Sequence, residues 1–288
     1  LDINSVRELL KSSPLGTYKG IIPVDFAGRA VNLEQFRALA DEYGLWIIED
    51  ACHSPGGYFT KQNKEKSKCG SSEFADLAIF SFHPVKHIAS GEGGMITTNN
   101  KLIYERLLKL RSHGIVKNNN LYTNSIEFAN GNNESTEFPN WYMEMQELGY
   151  NYRLSDIQAA LAISQLERAD EGLKRRREIA TIYEDAFSDC SFLKGQSGSI
   201  IGHAYHLYVI EVKNRLGLYN YLRDNKVFTQ IHYIPVHLMP YYRHLGWKEG
   251  DKPRSEEYYK NCISLPMFPS LTNEQLMYVI KLVKSFYL

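Results

Sequence analysis

Glu49-Asp50-Ala51-Cys52-His53-Ser54, then Phe80-Ser81-Phe82-His83-Pro84-Val85-Lys86, then Gly91-Glu92-Gly93-Gly94-Met95: the reading of this chain turns on these three blocks. Asp50 closes one apolar run, residues 45–49, and Ser81 falls at the end of another, residues 75–82. Lys86 follows in a glycine-flanked loop. Ahead of the first run, Asn32 with Gln35 caps a helical pattern whose buried face is Leu33, Phe36, Leu39 and Ala40, and Gly44 stops it. Residues 21–26 form a further short apolar run, so strand, helix and strand succeed one another as a βαβ unit. That alternation predicts an α/β fold with a mostly parallel sheet and helices on both faces, in which ligands gather at the carboxyl ends of strands. Asp50 sits at such an end, residues 95–98 read as another strand, and Lys86 lies between the two later strands.

Working outward, the chain opens in an amphipathic helix with Asp2 as cap and Val6, Leu9 and Leu10 as its buried stripe. After a helix over residues 101–110, the segment 116–146 is polar, asparagine-rich and without period. Loops of that length are lids, binding loops or partner contacts, and Trp141, Tyr142 and Met143 at its end predict that part of it docks. Ser155 with Gln158 then caps a long helix, and a basic helix covers 173–187. A domain division near Gly172 separates a large domain, 1–171, from a smaller C-terminal α/β domain, 172–288, assembled from 204–212, 216–223, 227–232, 256–261 and a Thr272-capped helix.

Composition narrows the function. The 288 residues are 43% hydrophobic and 23% charged, ordinary for a globular protein with a large core. Lysine plus arginine (33) balances aspartate plus glutamate (33), so no global field favours nucleic acid or an anionic membrane, and the expected partner is a small molecule. Cys52, Cys69, Cys190 and Cys262 lack paired spacing, and no stretch reads as a membrane span or signal peptide, which predicts a cytoplasmic location. Asn133-Glu134-Ser135 reads as a chance polar loop rather than a glycosylation site. His83 and His87 have helical metal-ligand spacing, but Pro84 separates them and no third ligand is near, so no metal is expected.

A carboxylate, a hydroxyl and an amine in this order match what pyridoxal 5'-phosphate requires: Asp50 to keep the ring nitrogen protonated, Ser81 to donate to the phosphate, Lys86 to form an imine with its aldehyde. Singly each residue has a plainer reading, as a strand end, a turn residue or a surface lysine; together they describe one cofactor site. The three opening blocks, with Leu110-Arg111-Ser112-His113-Gly114, Gly149-Tyr150-Asn151-Tyr152-Arg153-Leu154-Ser155-Asp156-Ile157-Gln158-Ala159-Ala160 and His232-Tyr233-Ile234-Pro235-Val236-His237, closely resemble the fold-type I aminotransferases of the DegT/DnrJ/StrS group, which act on nucleotide-linked sugars.

That resemblance implies further roles. His53 corresponds to a position bordering the cofactor near its phenolic oxygen, Asn151 to a residue that reaches the neighbouring subunit's phosphate, and Arg153 to a support of that crossing loop, so a homodimer with shared active sites is implied. For Asn151 the residues alone read as a turn or cap before the helix at Ser155. His232, Tyr233 and His237 correspond to a sugar-pocket wall, though an aromatic strand packed into the small domain fits them nearly as well, and His113 reads equally as a helix C-terminal residue. Related sugar dehydratases carry histidine where this chain has Lys86, so the implied reaction is amino transfer, from an amino acid such as L-glutamate to a keto-sugar. Residues 139–149, 230–238 and 263–266 resemble the transaminases that form UDP-4-amino-4,6-dideoxy-N-acetyl-β-L-altrosamine in pseudaminic acid synthesis, implying a place in surface polysaccharide or flagellin glycan assembly; another 3-keto or 4-keto deoxysugar nucleotide is the alternative. Family members carry roughly a hundred residues more ahead of Leu1, which implies a truncated chain whose phosphate loop and ring-stacking aromatic lie elsewhere. A cofactor-free remnant that only dimerises or binds a nucleotide is the competing reading.

Overall fold

Helix α1 (Ile3–Ser12) starts where the sequence places it, because the Asp2 carboxylate accepts the backbone N–H of Ser5 at 2.8 Å. The structure, a computed structural model, describes residues 1–195 and 201–287. Leu10 is buried on α1 while Leu9 is exposed, a narrower face than the predicted stripe. Strand β1 (Gly20–Ile21) leads to helix α2 (Leu33–Tyr43), capped by the Asn32 side chain on the Gln35 N–H. Gly44 ends α2 at φ 65°, a left-handed conformation that glycine adopts at little cost. The α2 face of Leu33, Phe36, Leu39 and Ala40 packs into one core with Ile47 and Phe59. Burying each large apolar side chain there stabilises by about 1.5–3 kcal/mol.

Strand β2 (Trp46–Asp50) pairs in parallel with β1; a hairpin of β3 (Tyr58–Thr60) and β4 (Lys66–Lys68) follows, unanticipated from sequence. Strand β5 (Leu77–Ser81) pairs in parallel with β2, and β6 (Gly94–Thr97) pairs with β5 antiparallel. The sheet order β1-β2-β5-β6 is therefore parallel across three strands and reversed at one edge. The reversal is local. Phe82 N–H donates to the Gly93 carbonyl at 2.8 Å and Ser90 N–H to the Phe82 carbonyl at 2.9 Å, closing the base of a wide loop that carries Lys86.

Helix α3 (Lys101–Leu110) precedes the polar segment, where β7 (Ile115–Val116), α4 (Ile126–Ala129) and β8 (Glu144–Met145) give it more order than sequence suggests. The buried Glu144 carboxylate accepts the N–H groups of Thr123 and Asn124 at 2.7 and 2.9 Å. Tyr142 docks against Tyr122 and Phe138, whereas Trp141 is 72% exposed. Helix α5 (Asp156–Leu166) begins with the Ser155–Gln158 capping box and buries none of its own residues.

Helix α6 (Ala169–Phe187) runs unbroken through Gly172, so the chain leaves the first core and reaches a second on one continuous helix. Ile179, Ala180, Tyr183 and Phe187 of α6 enter that second core. It includes β9 (Leu193–Lys194), β10 (Tyr208–Val212), α7 (Arg215–Asp224), β11 (Cys262–Leu265) and α10 (Asn273–Tyr287), with an antiparallel sheet in the order β11-β10-β9. Two short helices, α8 (Pro240–His244) and α9 (Pro253–Asn261), fill the connection before β11. Residues 227–232 make only a bridge, Gln230 to Ser264, instead of a strand. Buried Arg176 joins the parts: its Nη1 donates to the carbonyls of Tyr205, His206 and Met267 at 2.9–3.2 Å. Among the described residues, all four cysteines are free and no helix is long and apolar enough to cross a membrane.

Candidate active site

Lys86 occupies the first turn after β5, where its N–H donates to the His83 carbonyl at 2.9 Å. The loop is held from outside as well. Gln158 of α5 donates Nε2 to the Glu92 carbonyl at 2.9 Å, and the Ser90 hydroxyl donates to the same carbonyl. The Lys86 amine is half-buried, and burial holds its pKa below the ordinary lysine value, opposed by the nearby Asp50 carboxylate. A lysine so placed is a better nucleophile than one in water, since more of it is uncharged.

Asp50 is fixed by its backbone on both sides: its N–H donates to the Pro23 carbonyl at 2.9 Å and its own carbonyl accepts the Asp25 N–H at 3.0 Å. Its Oδ1 accepts the Cys52 N–H at 3.1 Å. The Cys52 thiol is pushed up to about 12, by burial first and then by Asp50, so it stays protonated beside that carboxylate. On the neighbouring strand end, the Ser81 hydroxyl accepts the His83 N–H at 3.3 Å. Lys86, Asp50 and Ser81 thus come together at the carboxyl edge of β2 and β5, as alternation of strands and helices predicts.

His53 is buried beside them. Its Nδ1 accepts the Ala27 N–H at 3.3 Å, and burial, then the Lys86 charge, press its pKa down to about 4. His232 faces the same lysine: burial and then Lys86 lower its pKa, and its Nδ1 lies 2.7 Å from the Ser264 hydroxyl. Tyr233 is half-exposed, edge-on to Phe26 with ring centres 6.1 Å apart. The other expected residues are not gathered here. His237 is buried with its Nε2 in a hydrogen bond to Glu256 Oε1, 2.8 Å away, a pairing internal to the C-terminal unit. Asn151 and Arg153 are exposed on the segment before α5, Asn151 bridging Ser112. His113 takes φ 63° at the end of the α3 connection, its N–H donating to the Tyr150 carbonyl.

Behind Asp50 lies a buried acidic group that sequence reasoning missed. Asp25 is fully buried; its Oδ2 accepts the Ser54 hydroxyl at 2.6 Å and its Oδ1 the Val31 N–H at 2.8 Å. Glu49 is 1% exposed and accepts the Gly70 N–H at 2.9 Å. The two carboxyls lie within 4.8 Å of each other and of the Cys69 thiol, and burial raises both pKa values; Glu49, further raised by Asp25, reaches about 8. A pair so placed holds a proton more readily than either acid does in water. The available signal was an acid inside each apolar run, residues 21–26 and 45–49. His206 was missed too, although a histidine within the apolar run 204–212 marked it.

The model of the DegT/DnrJ/EryC1/StrS aminotransferase family matches residues 1–284, and the chain belongs to this family. The spore coat polysaccharide biosynthesis protein SpsC of Bacillus subtilis is 34% identical over 99% of this chain and 70% of its own length. A UDP-4-amino-4,6-dideoxy-N-acetyl-β-L-altrosamine transaminase of Campylobacter jejuni is 31% identical, covering 95% of this chain and 66% of that protein. Among solved structures, Helicobacter pylori PseC, an aminotransferase of pseudaminic acid biosynthesis, superposes with TM-score 0.84 at 27% identity, over 100% of this chain and 70% of the other. The chain spans about two thirds of the length of the curated relatives it matches.

Proposed function

We propose that this chain is a pyridoxal 5'-phosphate-dependent aminotransferase that moves an amino group from an amino acid, L-glutamate foremost, to a nucleotide-linked keto-sugar. The observation that carries the reading is the half-buried Lys86 amine, held below its ordinary pKa and facing Asp50 at the edge of β2 and β5. The donor set fits the cofactor: an amine able to form an imine, a carboxylate for a ring N–H, a hydroxyl for a phosphate. Once bound, pyridoxal phosphate supplies an electron sink for the charge left when an amino acid loses its α-proton. Asp50 would hold a proton on the ring nitrogen, its orientation set by the Cys52 N–H. Ser81 would donate to the phosphate, and His53 would border the phenolic oxygen. Lys86, released from the cofactor by the incoming amine, would carry the proton at its Nζ.

A homodimer with shared sites belongs to the proposal, with Asn151 and Arg153 serving the neighbouring phosphate; their exposure, and an α5 that buries none of its apolar residues, support it. His232 and Tyr233 would line the sugar side; His237 would act there only through the loop that its Glu256 pair holds. The likeness to SpsC, to the altrosamine transaminase and to PseC supports a glycan-building role and, within it, the altrosamine nucleotide. A cytoplasmic location, supported by the free cysteines, completes the reading. The test is direct. Protein incubated with pyridoxal phosphate and reduced with borohydride should carry the pyridoxyl mass on the Lys86 peptide; label elsewhere, or none, refutes the assignment.

A further inference from the structure

One segment of the C-terminal unit reaches the lysine site without having been assigned any part in it. Ala204 N–H donates to the Gly28 carbonyl at 2.8 Å and Leu207 N–H to the Ala27 carbonyl at 3.2 Å, so residues 204–207 grip the Ala27-Gly28 turn by its backbone. The turn is unusual in itself: Ala27 has φ 61° and Gly28 φ 97°. A Cβ on Gly28 would meet Tyr205 N, His206 N and the His53 carbonyl oxygen at 2.8–2.9 Å, which leaves the turn no room to shift. From the same segment the His206 ring, 6% exposed, lies with its centre 4.3 Å from that of His53 at 36°, and 5.5 Å from that of His87, the residue after Lys86.

We propose that His206 is a positioning residue: its ring, packed against His53 from the segment that holds the Ala27 turn, locks His53 in the neutral tautomer that bears its proton on Nε2. The geometry forces the tautomer. Ala27 N–H points at Nδ1, which must present a lone pair; an Nδ1–H, in the other tautomer or in the imidazolium, would set two hydrogens head to head. Nε2–H is then the ring's one donor, on the edge away from Ala27, and the charges it feels most are Lys86 and Asp50. A fixed donor there suits an anionic oxygen of whatever Lys86 holds. His206 Nδ1 is buried without a hydrogen-bond partner among the described residues, so the ring acts on His53 by shape and ring contact.

The use of that donor rests on the pyridoxal phosphate reading; the tautomer does not, and the two are tested separately. In cofactor-free protein labelled with 15N-histidine, long-range 1H–15N correlations should show His53, assigned by its loss in His53→Gln, with a bare Nδ1 and a protonated Nε2 throughout pH 6 to 8. His206→Phe, which keeps a ring against His53, should preserve this pattern. His206→Ala and His206→Leu should replace it with averaged tautomers, while the His237 signals, held by Glu256, stay in place and report an intact fold. An Nδ1–H pattern in the unmodified protein, titration of His53 within that range, or an unchanged pattern in both ring-less variants overturns the proposal. The expected pattern combined with no borohydride label at Lys86 would support the tautomer and refute the cofactor reading.

Discussion

Replacing Glu49 by glutamine should change how stability depends on pH more than it changes stability at any one pH. The folded state holds the Glu49 proton with a pKa of about 8 against 4.5 for an ordinary glutamate, because the group is buried beside Asp25. The folded state therefore binds this proton more tightly than the unfolded chain does. The stability it contributes is complete below 4.5 and is lost progressively as pH rises through 8. Within that window each pH unit removes about 1.4 kcal/mol. Glutamine can keep both contacts, its oxygen accepting the Gly70 N–H and its amide donating to Asp25, but it has no proton to lose. Urea unfolding of parent and variant at pH 5.5 and 7.5 reads the effect of the Asp25–Glu49 pair, since the titrating groups outside it are common to both. The stability difference should move in favour of Glu49→Gln by roughly 2–3 kcal/mol between those pH values, seen as a displaced midpoint at constant slope. Parallel pH profiles for the two proteins would show that Glu49 is ionised in the fold and that burial beside Asp25 does not raise its pKa.

Lys86→Ala should abolish both borohydride labelling and amino transfer while leaving the circular dichroism spectrum unchanged; measurable turnover would rule out its role. Asp50→Asn exchanges a charge-assisted hydrogen bond worth about 1.5–3 kcal/mol for a neutral one, so turnover should fall on the order of 10- to 100-fold, and a parental rate would contradict the assignment. Asn151→Ala and Lys86→Ala, each inactive alone, should regain activity when mixed under subunit exchange, because one site of a mixed dimer carries neither defect; no recovery despite proven exchange would dismiss the crossing contact. Gly114→Ala forces a side chain into φ 72° and against the Glu147 carbonyl oxygen, so thermal denaturation should reveal a loss of at least about 1–3 kcal/mol.

What the sequence revealed was local or joint. The Asn32–Gln35 and Ser155–Gln158 caps and the Thr272 cap are readable because each is short-range and satisfies helix-end N–H groups, and all three form, Thr272 with Gln275. Asp50 and Ser81 were legible because strand ends are marked by apolar runs that stop. The direction of β6 was not, since periodicity carries no sign; only the Phe82–Gly93 and Ser90–Phe82 bonds across a loop reverse it. The β3–β4 hairpin stayed hidden behind Lys64, Lys66 and Lys68, polar residues whose alternation with buried Ser67 lacks the apolar signal of a strand. His206 and Asp25 stand out along the chain only as polar residues inside apolar runs, and their roles were hidden for a deeper reason. Their partners, His53 and Glu49, are remote in sequence, and nothing along the chain says which distant residues will meet.

Arg176 can be viewed as a mechanical part. Its guanidinium fastens three carbonyls from two separate stretches of chain to the middle of one uninterrupted helix, in a place where releasing any of them strands a buried charge. One of those carbonyls belongs to His206. The helix and the ring that bears on His53 are therefore coupled like a shaft and its key: a tilt of the C-terminal unit is transmitted to the lysine pocket rather than absorbed on the way. Alignment at the pocket is thus set by the seating of the whole C-terminal unit as well as by the loop that carries Lys86.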